Sequence, residues 1–232
     1  MKVLVFDVFG KYALFRRSYT TTSSTSYCFP PRTAICGLLG AILGIQNDTT
    51  DSSKHLRIFD DAHFAVKLLN PIKKINIATN YVETKSGQKH SRTQILLELI
   101  KNPAYRIYVS EFGKYEELEY CLKNKISVFT PYLGQAQMIA NFNYVGSFDA
   151  EPVSTPLEVH TVIKILDGTK ILPQAGQLFI KERMTLNMDN ERTPTAFASY
   201  WVEKNATPIK LVHYVEQVYT IKELGENICW ID

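Results

Sequence analysis

The stretch YTTTSSTSYCFPPRTAICGLLGAILG, residues 19–44, sets seven consecutive hydroxyl residues before two prolines, an arginine and an uncharged apolar segment. Pro30 or Pro31 suits a first helical turn, where a missing N–H costs nothing. The segment after it reads as a helix reaching about Gly44. Gly37, Gly40, Ala41 and Gly44 recur at spacings of three and four, so they share one side of that helix. Each glycine costs on the order of 1 kcal/mol relative to alanine, so the helix needs tertiary packing in return. Ile35, Leu38, Leu39, Ile42 and Leu43 provide an apolar face for a sheet. The small side admits a close neighbour.

The helix start carries the chemistry. Arg32 falls where unpaired amide N–H groups already create positive potential, a poor place for a cation. An anion resolves the mismatch, and phosphate is the obvious one. Lys11, Arg16 and Arg17 add charge. Thr20, Thr21, Thr22, Ser23, Ser24, Thr25 and Ser26 add uncharged donors, and Tyr12, Tyr19 and Tyr27 add rings that can stack on bases. Together they read as a grip on a bent, single-stranded nucleic-acid end. The same residues also fit a solvated loop, with Arg32 paired to a nearby carboxylate. Neither GxxxxGK[ST] nor GxGxxG occurs, and no cofactor is expected.

Working outward, Val3, Val5 and Val8 with Leu4, Phe6 and Phe9 make a buried first strand that Asp7 interrupts. Residues 46–63 read as an exposed polar connection. Two strand-like runs flank TKSGQKHSR, a hairpin tip or arm. YRIYVSE reads as a strand, KYEELEYCLKN as a short helix and ISVFT as a further strand. This order suits an α+β, ferredoxin-like (RRM-like) unit with two helices on one face of an antiparallel sheet. GSFDAEPVSTP, residues 146–156, marks a boundary. It separates that unit, residues 1–150, from a smaller β-rich part, residues 151–232, with strand-like VHTVIKI, QLFIKERMTL, FASYWVE and IKLVHYVEQVYTI.

The chain of 232 residues is 45% apolar and 21% charged, with a formal net charge of +3, so a packed core is expected and a local basic surface is compatible. Cys28, Cys36, Cys121 and Cys229 form no CxxC pair and read as reduced thiols. The five histidines are scattered without HExxH, so no metal is expected. The apolar run AICGLLGAILGI falls short of the roughly 20 residues a membrane span needs. MKVLVFDVFG reads as a strand rather than a signal peptide, which points to a cytoplasmic protein without membrane contact.

Two further stretches are candidates. KSGQKHSRT offers Lys85, Lys89, His90 and Arg92 for a phosphate backbone, with Lys73 and Lys74 extending the track, although a solvated turn fits as well. Lys89 beside His90 also suits a metal-independent ribonuclease, in which histidine moves protons and lysine stabilises developing charge. No proton-accepting partner stands near them in the sequence. In FTPYLGQAQMIANF, Pro131 and Gly134 bracket Tyr132 and Leu133 in a tight turn, read as preceding a helix. Gly134 permits close approach of backbone or phosphate there.

The block FDVFGKYALFRRSYTTTSSTSYCFPPRTAICGLLGAILG, then NPAYRIYV, then FTPYLGQAQMIANF resembles the CRISPR-associated Cas-five family, over roughly residues 1–150. The nearest variant works beside a separate guide-processing nuclease in a Cascade complex of the I-B kind. The resemblance implies a ferredoxin-like domain with a β-hairpin thumb and a variable β-rich second part. It implies a non-catalytic subunit that caps one end of the interference complex, binds the 5′ handle of the guide RNA (crRNA) and touches the backbone and large subunits. Carried onto this chain, residues 19–26 with Arg32 grip the handle, Lys85 to Arg92 belong to the thumb, and Pro131, Tyr132 and Gly134 support the site. One branch of the family cuts the guide precursor with Tyr, Lys and His. Lys89 and His90 keep that alternative open, as is a purely structural scaffold.

Overall fold

The fold comes from a computed structural model, which describes residues 1–20, 24–46, 52–82, 92–155 and 157–232. Along the chain lie β1 (Lys2–Gly10), the short β2 (Tyr12–Ala13), α1 (Arg32–Leu43), α2 (Lys54–Arg57), β3 (Phe64–Leu68), β4 (Lys74–Val82), β5 (Arg92–Lys101), β6 (Ala104–Ser110), α3 (Tyr115–Lys123) and β7 (Ala140–Asp149). The rest is β: β8 (Glu151–Val153), β9 (Leu157–Val159), β10 (Ile163–Lys164), β11 (Lys170–Leu172), β12 (Phe179–Met188), β13 (Pro194–Glu203), β14 (Ile209–His213), β15 (Val218–Ile221) and β16 (Glu226–Ile228).

The central sheet has the order β3-β6-β1-β7, with every neighbouring pair antiparallel. Successive side chains of a strand point to opposite faces, and β1 is apolar on both. Leu4, Phe6 and Val8 face a core shared with Ile35, Leu39 and Ile42 of α1 and Leu118 and Leu122 of α3. Val3 and Val5 face a second core with Ile221, Ile228 and Trp230 from the C-terminal strands. The sheet is therefore covered by helices on one side and by β-structure on the other. Asp7 does not open the strand to a site. Arg106, its cross-strand partner, donates to it twice, at 2.7 and 3.1 Å.

The C-terminal part also shares the first core, through Met184, Tyr200, Val202 and Ile231. Its backbone reaches the outer edge of β3, where Val162 N donates to Val66 O at 2.9 Å and Ile231 N donates to Phe64 O at 2.8 Å. β4 and β5 form a long hairpin whose root packs Leu97 and Leu99 on Leu14.

Three expectations need correction. ISVFT is not a strand: Val128 N and Phe129 N donate to Ile42 O and Ala41 O at 3.2 and 2.9 Å, satisfying carbonyls that the end of α1 leaves open. The polar connection contains α2 and buries Leu56 and Phe59. The turn at Pro131 leads into β7, not into a helix.

Candidate nucleic-acid interface

The hydroxyl run is partly a structural device. Residues 14–17 and 24–27 pair as a narrow ribbon, with Tyr27 N donating to Phe15 O at 2.8 Å and Arg17 N to Thr25 O at 3.0 Å. The fully buried Ser26 hydroxyl accepts from Phe15 N and donates to Tyr27 O, at 3.0 and 2.8 Å. Ser24, also buried, accepts at its carbonyl from Glu98 N at 2.9 Å, tying the ribbon to β5. The Ser26 hydroxyl thus holds the ribbon together and is not available as an outward donor, while Ser24 anchors the ribbon through its carbonyl. Thr20 Oγ1 closes the turn onto Arg17 O at 2.9 Å. Tyr27 is buried, with the Arg17 guanidinium 5.7 Å from its ring centre, and Arg17 donates to buried Glu182 at 2.8 Å. Tyr19, Lys11 and Arg92 are exposed. Thr21, Thr22, Ser23, Lys85, Lys89 and His90 lie outside the described residues.

Arg32 is the largest correction. The anion that resolves its position is Asp232, not a phosphate. Arg32 Nε donates to Asp232 Oδ1 at 2.9 Å, and Nη2 donates to Phe59 O at 2.7 Å. Its guanidinium lies over the Phe64 ring, and the side chain is 7% exposed. The second oxygen of Asp232 accepts from Phe64 N at 2.7 Å and stands 3.4 Å from His63 Nδ1. The hydrogen bond to Asp232 raises the His63 pKa above its ordinary value, against the opposing effect of burial. With the arginine consumed inside the fold, the helix start offers ligands no guanidinium of its own.

The open feature is the small-residue side of α1. Thr33, Ala34, Gly37, Gly40 and Ala41 form one wall of a groove of about 610 Å³. The ribbon (Leu14 to Arg16), the segment from Phe129 to Gln135, His55 and Leu56 of α2, and Met188 and Arg192 close it. A methyl group on Gly37 would meet only His55 Nε2 at 4.0 Å, so glycine there leaves real space. Gly134, at φ +92°, presses backbone on backbone: a Cβ would fall 2.0 Å from Leu14 O. That contact, with Leu14 N donating to Leu133 O at 3.0 Å, clamps the turn against the ribbon. Pro131 is buried there, while Tyr132 and Phe129 line the groove with exposed rings.

Among the described residues that line the groove are Arg16, Arg192 and His55, and none of them is an acid. Arg16 Nη2 donates to Thr20 O at 2.9 Å on the surface, and Arg192 Nε to Ser52 O at 3.0 Å. Guanidinium groups bind phosphate through paired donors, and exposed rings stack on unpaired bases. Arg16, Tyr132 and Gly134 come together here, as read from the sequence. His55, Met188 and Arg192 were missed. Arg192 lies about 150 residues from the α1 wall, in the β12–β13 turn, and no local pattern links the two.

Other chemistry has little support among the described residues. No group of three His, Cys, Asp or Glu there could hold a metal. No described helix is long and apolar enough to cross a membrane. Cys28, Cys36, Cys121 and Cys229 are free and buried, and burial pushes the thiols of Cys28 and Cys36 up to about 12.

The fold has relatives among solved structures. It is similar to the crystal structure of a CRISPR protein from Archaeoglobus fulgidus, with TM-score 0.60, 15% identity and 98% of both chains covered. It is similar to a chain of a CRISPR RNA-guided surveillance complex, with TM-score 0.57 and 10% identity, over 89% of this chain and 91% of that one. A chain of the type III-B Cmr-beta complex bound to cognate target RNA and AMPPnP gives TM-score 0.53 and 11% identity, over 91% and 86%. At these identities the likeness is one of fold. No curated protein matches the sequence. The family model described as CRISPR-associated protein (Cas_Cas5) matches residues 3–203, most of the chain, and the protein belongs to that family.

Proposed function

We propose that this protein is a non-catalytic, RNA-binding subunit of a type I CRISPR interference (Cascade) complex, where it holds the 5′ handle of crRNA and caps the backbone. The observation that carries this reading is the groove beside α1: a wall of small residues, two guanidinium groups, exposed rings and no acid among the described residues of its lining. A single strand can set phosphates against Arg16 and Arg192 and bases against Phe129 and Tyr132.

The strand order supports a ferredoxin-like core, because β3-β6-β1-β7 read as second, third, first and fourth strands is the order of a split βαβ unit. The β4–β5 hairpin is then the thumb, with Arg92 near its tip. Residues 1–150 are the RNA-binding domain and residues 151–232 the β-rich companion, which docks on its sheet. The backbone and large subunits are the partners, and a separate nuclease supplies the processed guide.

The test is equilibrium binding of a labelled handle RNA over a range of salt concentrations. Arg16→Ala and Arg192→Ala are each expected to lower the slope of log K against log salt by about 1. Unchanged slopes in both would contradict the groove as the site. Precursor RNA is expected to survive incubation with the chain in EDTA. Specific cutting that vanishes in His90→Ala would replace this reading with the endonuclease.

A further inference from the structure

Among the described residues, three of the four edge strands of five residues or more carry devices that discourage another strand from pairing. β3 is short, and its outer edge is covered by Val162 and Ile231. β7 is bent by a bulge opposite Val5 and Phe6. β12 places Lys181, Glu182 and Arg183 in succession and shifts register twice. β4 has none of these. It runs nine residues in unbroken register with β5, and from Ile75 to Val82 it contains neither a charge nor a proline.

The register shows which groups face outward. Lys101 N donates to Lys73 O at 2.8 Å, one pair beyond the Lys74–Ile100 end of the ladder of β4 and β5. Hydrogen-bonded and non-bonded pairs alternate in antiparallel strands, so Ile75, Ile77, Thr79 and Tyr81 exchange bonds with β5. The peptide groups of Asn76, Ala78, Asn80 and Val82 point to the open edge. Glu98, the cross-strand partner of Asn76, agrees in phase: its N–H bonds away from β4, to Ser24 O at 2.9 Å.

We propose that the β4 edge receives an extended segment of a neighbouring protein subunit as an added strand. This rests on the reading of the chain as part of a multi-subunit complex. Donors and acceptors repeating every second residue along one line are matched by an extended polypeptide. RNA is a poor occupant, because no cation stands between Ile75 and Val82 to meet its phosphates. Ile77 and Tyr81 are exposed on one face of the hairpin, and Val82 and Leu96 on the other. The incoming strand therefore carries β-branched or aromatic residues and no charges at its centre.

Hydrogen–deuterium exchange of the full chain tests this in four states: alone, with handle RNA, with its companion protein subunits lacking RNA, and in the assembled complex. The amides of Asn76, Ala78, Asn80 and Val82 are expected to slow at least about tenfold when protein subunits are added, with or without RNA. Ala78→Pro removes one outward donor while sparing the bonds to β5. It is expected to weaken retention in the complex about tenfold, with thermal unfolding and handle binding of the chain alone unchanged. Ala78→Thr keeps the amide and is expected to be retained. A retained chain whose edge amides exchange as in the free protein overturns the edge proposal and leaves the proposed function standing. Slowing by RNA alone, or with rising concentration of the chain alone, overturns it in favour of RNA or of a second copy. A chain that joins no complex sinks both.

Discussion

The two ends of the positive surface around α1 have opposite fates. At the first turn, Arg32 is buried, bonded to Asp232 and the Phe59 carbonyl, and covered by Phe64. Along the glycine side of the same helix, Arg16 and Arg192 border a groove with no acid among the described residues of its lining. A cation at a helix start, with hydroxyls before it, has the local composition of a phosphate site. Its role is nevertheless decided by which distant group reaches it first. At Arg32 that group is 200 residues away in sequence; at the groove, the small side chains of α1 leave the space open.

Breaking the inner half of this contrast gives the largest effect. Arg32→Ala strands a half-buried carboxylate and a buried carbonyl, and chemical denaturation is expected to register a loss of about 3 kcal/mol. The handle affinity of the folded protein is expected to stay at the wild-type value. Gly134→Ala comes next. A side chain at φ +92° lying against Leu14 O is expected to cost about 2 kcal/mol and, by displacing the ribbon, to weaken RNA binding as well.

The groove half is sharpened by a pair of substitutions at one position. Gly37→Glu is expected to lower handle affinity about tenfold, equivalent to about 1.4 kcal/mol, without loss of thermal stability. Gly37→Ala meets nothing closer than 4.0 Å and is expected to raise stability by about 0.5–1 kcal/mol. The smallest effect concerns His63. Its pKa is raised in the folded state by Asp232, so its contribution is complete below about pH 6.5 and fades as pH rises through the higher folded value. Denaturation midpoints are expected to show that decline in the wild type and not in His63→Ala.

Much of the fold was legible because its signals are local. The alternation of Val3, Leu4, Val5 and Phe6 marks a strand buried on both faces, and the spacing of Gly37, Gly40 and Ala41 marks the side of α1 that opens to the groove. ISVFT misled because its apolar residues cap and cover the end of α1 instead of pairing in a sheet. The site was less legible. A buried structural hydroxyl such as Ser26 and a solvated one have the same letter, and Asp232 and Arg192 reach α1 only through the tertiary fold. Reading Arg32 as a ligand for phosphate erred for that reason, whereas Arg16, Tyr132 and Gly134 do lie along the groove.

The decisive measurement is the salt dependence of handle-RNA binding by two variants side by side, Arg16→Ala/Arg192→Ala and Arg32→Ala, at a temperature where both are folded. If the groove is the RNA site, the double variant loses about 2 from the slope of log K against log salt, and Arg32→Ala keeps the wild-type slope. A wild-type slope in the double variant, with a reduced one in Arg32→Ala, would return the site to the helix start and contradict the groove.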